Sequence, residues 1–155
     1  MVTTPKRSPL TVLLAVDGSS YSDAEANLVT DIRWPAGTSM RVLAVVPERL
    51  PLVCLSPETQ SVVDEMRAGA RQQDRAAAET LVVRVADQLR AHDLITEAQV
   101  REGRPAEVIR EQAVAQSADL IVVGARGRTR AGPFCMGDLA QKVAKYASWS
   151  GVVVR

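Results

Sequence analysis

Three glycines near the C-terminus of the chain have the spacing of a loop that binds phosphate. Gly124 and Gly127 follow a short apolar run, Leu120–Val123, and Gly137 comes after nine further residues, at the start of an amphipathic segment. Glycines at these positions let the backbone take positive φ and approach an anion closely. A helix that begins near Gly137 would also point free N–H groups, and the positive end of its dipole, at the same place. The sequence therefore predicts an anion site in this loop.

The residue after the last glycine does not suit this chemistry. Asp138 places a carboxylate where a phosphate group favours a hydroxyl donor. Arg126, Arg128 and Arg130 could offset part of the repulsion, and so could a divalent cation that bridges the carboxylate and the phosphates. The alternative is that Asp138 caps the helix that follows and occupies the anion site as an internal substitute.

A second polar group, the carboxylate of Asp17, is expected to lie beside the predicted anion site. Asp17 follows the first apolar run, and Gly124 follows the fourth. In a doubly wound sheet, ligands bind at the carboxyl ends of the strands, at the point where the strand order reverses. Asp17 and Gly124 would then belong to one site. The alternative is that Asp17 is a turn or cap residue before Ser19 and Ser20.

The elements that must position these residues alternate along the chain. Apolar runs predict strands over Thr11–Val16, Met40–Val46, Thr96–Glu102, Leu120–Val123 and Gly151–Arg155. Apolar residues at helical spacing predict helices over residues 21–33 and 61–92, after Pro105 and from about Asp138. Strands separated by helices imply right-handed βαβ crossovers, and so an α/β fold with a doubly wound parallel sheet of five strands.

Local sequence signals predict where the first helix begins and where the longest helix is interrupted. Ser20 with Asp23, or Ser22 with Glu25, has the spacing of a capping box at the start of the first helix. The longest predicted helix contains Gly69, where we expect a break or a bend.

Composition excludes several classes of protein. A chain of 155 residues with 46% hydrophobic and 3% aromatic residues is expected to form one domain of helices packed on a sheet. A net charge of +1 argues against nucleic-acid binding through a basic field. His92, Cys54 and Cys135 are too few for a metal site, a disulfide framework or a Ser-His-Asp triad. No apolar run approaches a membrane span, and Met1–Pro9 lacks the core of a signal peptide, so a cytoplasmic protein is expected.

Three segments resemble one known family, the universal stress proteins. They are Val12–Ser19 (VLLAVDGS), Gly103–Ile109 (GRPAEVI) and Ala118–Gly127 (ADLIVVGARG). The resemblance covers residues 10–155 and leaves residues 1–9 as a flexible lead-in. It implies a Rossmann-like fold of the adenine nucleotide alpha hydrolase type, with strand order 3-2-1-4-5 and helices on both faces. It also implies a homodimer formed through the last strand, Gly151–Val154, and an adenine nucleotide, ATP or AMP.

The same resemblance assigns roles to individual residues. Asp17 matches the acid that holds the ribose, and Ala15 and Val45 match residues that line the adenine pocket. The phosphate loop is matched by the residues Gly124, Arg126, Gly127 and Gly137, and Asp138 stands where the family has Ser or Thr.

Three functions are compatible with these residues. The first is a stress-response homodimer that binds an adenine nucleotide, with Mg²⁺ or Mn²⁺ as a possible companion, for regulation rather than turnover. The second is a nucleotide-free scaffold that acts through an unknown protein partner, which Asp138 favours. The third is an enzyme, such as a slow nucleotide hydrolase, and it is the least supported because no general base can be named.

Overall fold

The computed structural model describes residues 8–48, 56–124, 138–146 and 150–154. Most of the expected lead-in, residues 1–7, lies outside this part of the chain. The elements, in chain order, are β1 (Thr11–Val16), α1 (Ser20–Asp31), β2 (Ser39–Pro47), α2 (Pro57–Arg90), β3 (Ile95–Gly103), α3 (Pro105–Ala115), β4 (Leu120–Gly124), α4 (Asp138–Tyr146) and β5 (Ser150–Val154).

The strands form one parallel sheet in the order β3-β2-β1-β4-β5. The predicted α/β class is confirmed, as is the parallel sheet with its first four strands in the order 3-2-1-4. The last strand, β5, pairs in parallel with β4. Because β1 lies between β2 and β4, the strand order reverses beside β1.

Helices pack on both faces of this sheet. On one face, Leu14 of β1 packs with Val29 of α1 and Val85 of α2 in a common core. On the other face, Leu13 packs with Ile109 of α3, and Ala140 of α4 belongs to the same core. Successive side chains of a strand point to opposite faces, so a strand buried on both faces needs an unbroken apolar run. This requirement explains the composition of β1.

The longest helix begins earlier than the sequence predicts and has no break. Ser56 caps α2, because its hydroxyl accepts the backbone N–H of Thr59 at 3.4 Å, and Pro57 occupies the first helical position. The helix continues through Gly69, so the expected break there is wrong. Its buried residues lie between Val82 and Leu89. No helix in the described part of the chain is long and apolar enough to cross a membrane.

Candidate functional site

A tight network of hydrogen bonds closes the turn between β1 and α1. Oδ1 of Asp17 accepts the backbone N–H of Ser19 at 2.9 Å and the hydroxyl of Ser22 at 3.1 Å. The Ser22 hydroxyl also accepts the backbone N–H groups of Asp17 at 3.0 Å and Gly18 at 3.2 Å. Gly18 has φ of +77°, a conformation that glycine takes without strain. These bonds show that Asp17 has the turn role that the sequence left open as an alternative.

The first helix begins differently from the prediction. Its N-cap is Ser19, and no side chain caps it. Ser20 and Ser22 both lie inside the helix, so neither occupies the N-cap position that a capping box requires. Ser22 is fully buried, and its hydroxyl holds the turn that precedes the helix rather than the helix itself. Sequence spacing alone could not separate these two uses of a serine.

A buried carboxyl lies one helical turn beyond Ser22. Glu25 is 2% exposed, and its Oε2 has no hydrogen-bond partner in the described part of the chain. Burial raises the pKa of Glu25 to about 8, and the charge of the Asp17 carboxylate raises it in the same direction. Glu25 is therefore mostly neutral at pH 7. The only clue in the sequence is that Glu25 lies four residues before Val29, which places both on one inward face of the helix.

The two residues assigned to the adenine pocket lie on one face of the sheet. Ala15 of β1 pairs with Leu43 of β2, and Val45 lies two residues further along β2. Both Ala15 and Val45 are partly buried and pack against the core on the side of α3 and α4. The structure therefore places these two side chains close together near the carboxyl ends of β1 and β2.

Gly124 lies at the end of the neighbouring strand. Ala15 is opposite Val123 across the β1–β4 ladder, so Gly124 is at the level of Val16, directly before Asp17. Neighbouring strands are about 4.8 Å apart, which brings Asp17 and Gly124 close together at one edge of the sheet. The other assigned glycines and the arginine of the loop, Arg126, Gly127 and Gly137, lie outside the described residues.

Asp138 is the first residue of α4. An acid in the first turn of a helix interacts favourably with the helix dipole. This position is compatible with a local role for Asp138 in helix stability, and equally with a residue beside an anion at the helix N-terminus. The position of its carboxylate lies outside what the structure describes.

A cavity of about 510 Å³ opens near this edge of the sheet, but on the other face. It lies between the first half of α2 and the ends of β2 and β3, and its wall includes Val46, Arg71 and Glu102. Its lining contains none of Ala15, Asp17 and Val45. Arg71 and Glu102 form an ion pair with each other. The cavity is therefore separate from the predicted nucleotide site. In the described residues, no three His, Cys, Asp or Glu side chains are grouped to hold a metal ion.

Comparison with known proteins adds to this geometry. The family described as "Universal stress protein family" matches residues 10–155. The chain belongs to this family. A universal stress protein of Thermus aquaticus, encoded in the 3′ region of a QAH/OAS sulfhydrylase, is 43% identical over 54 residues, which are 35% of this chain and 39% of that protein. The match thus spans well under half of the relative's length.

Solved structures of the family share the fold. The hypothetical protein MJ0577 superposes with a TM-score of 0.79 at 18% identity, covering 93% of this chain and 94% of that one. A universal stress protein from Archaeoglobus fulgidus in complex with dAMP gives a TM-score of 0.66 at 15% identity, covering 94% and 98%. A universal stress protein in complex with cAMP gives 0.62 at 18% identity, covering 96% and 98%. At these identities the likeness establishes the fold alone.

Proposed function

We propose that this chain is a regulatory stress-response protein that binds an adenine nucleotide in a single universal stress protein domain, residues 10–155. The observation that carries the proposal is the convergence of Asp17 and Gly124 at the point where the strand order reverses. Family membership and the two relatives solved with dAMP and cAMP support the same ligand class. We further propose a cytoplasmic protein that binds the nucleotide for regulation rather than turnover.

The base and the sugar would bind along β1 and β2. Ala15 and Val45 offer a partly buried apolar surface for adenine, and Asp17 lies at the end of β1, where the ribose would sit. Oδ1 of Asp17 already accepts two hydrogen bonds. Those bonds fix the orientation of the carboxylate before the ligand arrives, so little side-chain entropy remains to be lost on binding.

The phosphate end would bind at Gly124, Arg126, Gly127 and Gly137, with Asp138 beside it. A carboxylate about 4 Å from a phosphate oxygen costs on the order of 4 kcal/mol at an effective dielectric constant near 20. The missing hydroxyl removes a further hydrogen bond worth roughly 1.5–3 kcal/mol. We therefore propose that AMP binds better than ATP, and that ATP needs Mg²⁺ or Mn²⁺ to bridge Asp138 and the phosphates.

Asp138 also leaves a second function open. If Asp138 occupies the anion site itself, the protein keeps the fold without a nucleotide and acts through a protein partner. We propose a homodimer in both cases, formed through β5, since this short strand is at one edge of the sheet. Deleting the last five residues, from Gly151 onward, should then remove the β5 contact, which sedimentation would record as a smaller assembly or as aggregate.

Calorimetric titration with ATP, ADP and AMP, each with and without Mg²⁺ or Mn²⁺, tests the nucleotide proposal. Micromolar binding of AMP without metal, and of ATP only with metal, is the expected result. Absence of binding for every nucleotide would favour the scaffold function instead.

Asp138→Ser should raise ATP affinity at least tenfold, a change of about 1.4 kcal/mol, because it removes the repulsion and restores a hydroxyl. Asp138→Asn removes the charge alone and should give part of the gain. Asp31→Asn changes an exposed carboxyl at the far end of α1 and serves as the control for net charge. An ATP affinity that is the same in all three variants would show that the Asp138 carboxylate does not lie at the phosphates.

A further inference from the structure

The strand at the other edge of the sheet, β3, has one side that no strand of the described part of the chain covers. It is nine residues long and pairs with β2 on its inner side. The carbonyl of Gly103 accepts the N–H of Glu48, next to the end of β2, so the odd-numbered residues direct their backbone groups inward. The carbonyl of Thr96 instead accepts a hydrogen bond from the guanidinium of Arg90, and the carbonyl of Val100 accepts one from the guanidinium of Arg101. The even-numbered residues therefore direct their N–H and C=O groups outward.

We propose that β3 pairs with β3 of a second copy of this chain, antiparallel, around a two-fold axis through Gln99. In this register Thr96 lies opposite Glu102, and Ala98 lies opposite Val100. All four of these residues direct their backbone groups outward, so the Ala98–Val100 pairs form the reciprocal hydrogen bonds of an antiparallel ladder. The Thr96–Glu102 pairs do so once the guanidinium of Arg90 leaves the carbonyl of Thr96. The two sheets would become one continuous sheet. This contact is separate from the one proposed for β5, which lies at the opposite edge, so the two contacts together would join β5 dimers into an open-ended row.

The side chains of β3 are complementary to themselves in this register. Glu97 of one copy lies opposite Arg101 of the other, on both sides of the axis. Glu97 is 69% exposed and already pairs with Arg41, so the contact would place it between two guanidinium groups. Arg101 is exposed and donates to the carbonyl of Val100 in its own chain. It would exchange that carbonyl for a carboxylate, which is a stronger acceptor.

Two further observations favour a partner at this edge. Nε2 of Gln99 is buried and has no hydrogen-bond partner in the described part of the chain. Rotation of the Gln99 side chain toward the two-fold axis would bring this amide to the same amide of the second copy, which offers a carbonyl oxygen. Ile95 is 60% exposed and would lie opposite Gly103, which leaves room for its side chain. The contact would thus satisfy a polar atom and cover an apolar one.

The helices leave room for this arrangement. α2 packs over both β2 and β3. With strands about 4.8 Å apart, a continuous sheet would place the two α2 helices roughly 10 Å apart on the same face. This separation is close to the 8–10 Å spacing of packed helices, so the helices would contact each other without overlapping.

A cysteine at the axis tests the pairing directly. Gln99→Cys, in the full chain with Cys54→Ser and Cys135→Ser, should cross-link under a mild thiol oxidant, because opposed residues at this position have Cα atoms about 4.5 Å apart, within disulfide range. Ile95→Cys, in the same background, is the control. Residue 95 is well exposed, but the two copies of it would be roughly 26 Å apart. We expect at least a tenfold higher yield of dimer for the first variant on a denaturing gel.

That readout does not depend on β5, because only a covalent β3 contact survives on the gel. Equal yields for the two cysteine variants, or no cross-linking by either, would overturn the proposal.

Two substitutions keep the proposal testable if the cysteine variant does not fold. Ala98→Pro removes an outward N–H that the β2 ladder does not use, and edge strands tolerate proline. It should retain the circular dichroism of the parent and weaken at least tenfold the association step, in sedimentation equilibrium, that joins β5 dimers to one another. Arg101→Glu should weaken it similarly, whereas Arg101→Lys should retain most of it. Association constants that do not change in Ala98→Pro and Arg101→Glu would contradict β3 pairing.

Discussion

Glu25→Gln is expected to remove most of the fall in stability that the buried carboxyl causes as the pH rises. The pKa of Glu25 is about 8 in the folded chain and 4.5 in the absence of the fold. Between these two values the unfolded chain has lost the proton and the folded chain still holds it. Stability falls with rising pH wherever the folded state binds more protons, so the fall begins near the lower pKa and ends near the upper one.

The size of this effect follows from the separation of the two pKa values. Each pH unit between them costs about 1.4 kcal/mol, which gives a loss of about 2.5 kcal/mol between pH 5.5 and pH 7.5. Since Glu25 is 2% exposed, solvent screening reduces this figure little. For a slope of 1–3 kcal/mol per molar urea, the unfolding midpoint of the parent should fall by about 1 M or more over that range.

Urea unfolding at several pH values, in parent and variant, measures this directly. The glutamine amide has its own cost of burial, so the decisive quantity is the change with pH and not the stability at one pH. Glu25→Gln should flatten the curve. Asp31→Asn, which changes an exposed carboxyl of the same helix, should leave it unchanged. Parallel curves for parent and Glu25→Gln would refute the argument that Glu25 holds its proton at neutral pH.

Two further pairs of substitutions test local features of the fold by urea denaturation. Ser22→Ala should cost about 2 kcal/mol, because the N–H groups of Asp17 and Gly18 lose their acceptor and Oδ1 of Asp17 loses a donor. Ser19→Ala should cost little, since the Ser19 hydroxyl has no hydrogen-bond partner in the described residues. Equal losses would contradict this. Gly69→Ala should stabilise α2 by about 0.5–1 kcal/mol, because a Cβ there meets open space. Gly103→Ala should destabilise, since φ is +140° and its Cβ would lie 2.9 Å from Val108; a gain in stability would refute the strain.

The sequence predicted the fold well because its strongest signals are the ones that tertiary structure reinforces. The apolar run Thr11–Val16 gave the bounds of β1 without error, since a strand buried on both faces has few alternatives. The first helix was misjudged because serine and acid spacing predicts a capping box at more than one place. The Ser22 hydroxyl instead accepts hydrogen bonds from the N–H groups of Asp17 and Gly18 in the preceding turn, and no local sequence pattern predicts these bonds.

The positions of the candidate site residues were predictable only where they lie on regular elements. The parallel register brings Ala15, Val45 and Gly124 to one edge of the sheet, whereas the assignment of Ala15 and Val45 to an adenine pocket came from the family resemblance and stays a prediction. The neutral state of Glu25 was not predictable, because it depends on how completely α1 is packed against the sheet. A glutamate in a helix is usually exposed, and only the three-dimensional burial shows the exception.

Buried polar atoms without partners gather mainly at two places in the described chain. Ser19 Oγ and Glu25 Oε2 lie at the β1–α1 turn, and Arg41 Nε and Gln99 Nε2 lie on β2 and β3; a fifth such atom is on Gln116. Such groups are rare in folded proteins because each costs free energy, and they are retained mainly where function requires them. The first pair adjoins the proposed nucleotide site, and the second adjoins the proposed β3 contact. If the nucleotide and the second copy supply the missing hydrogen-bond partners, each binding event recovers part of the free energy that the isolated chain loses by burying these atoms unpaired.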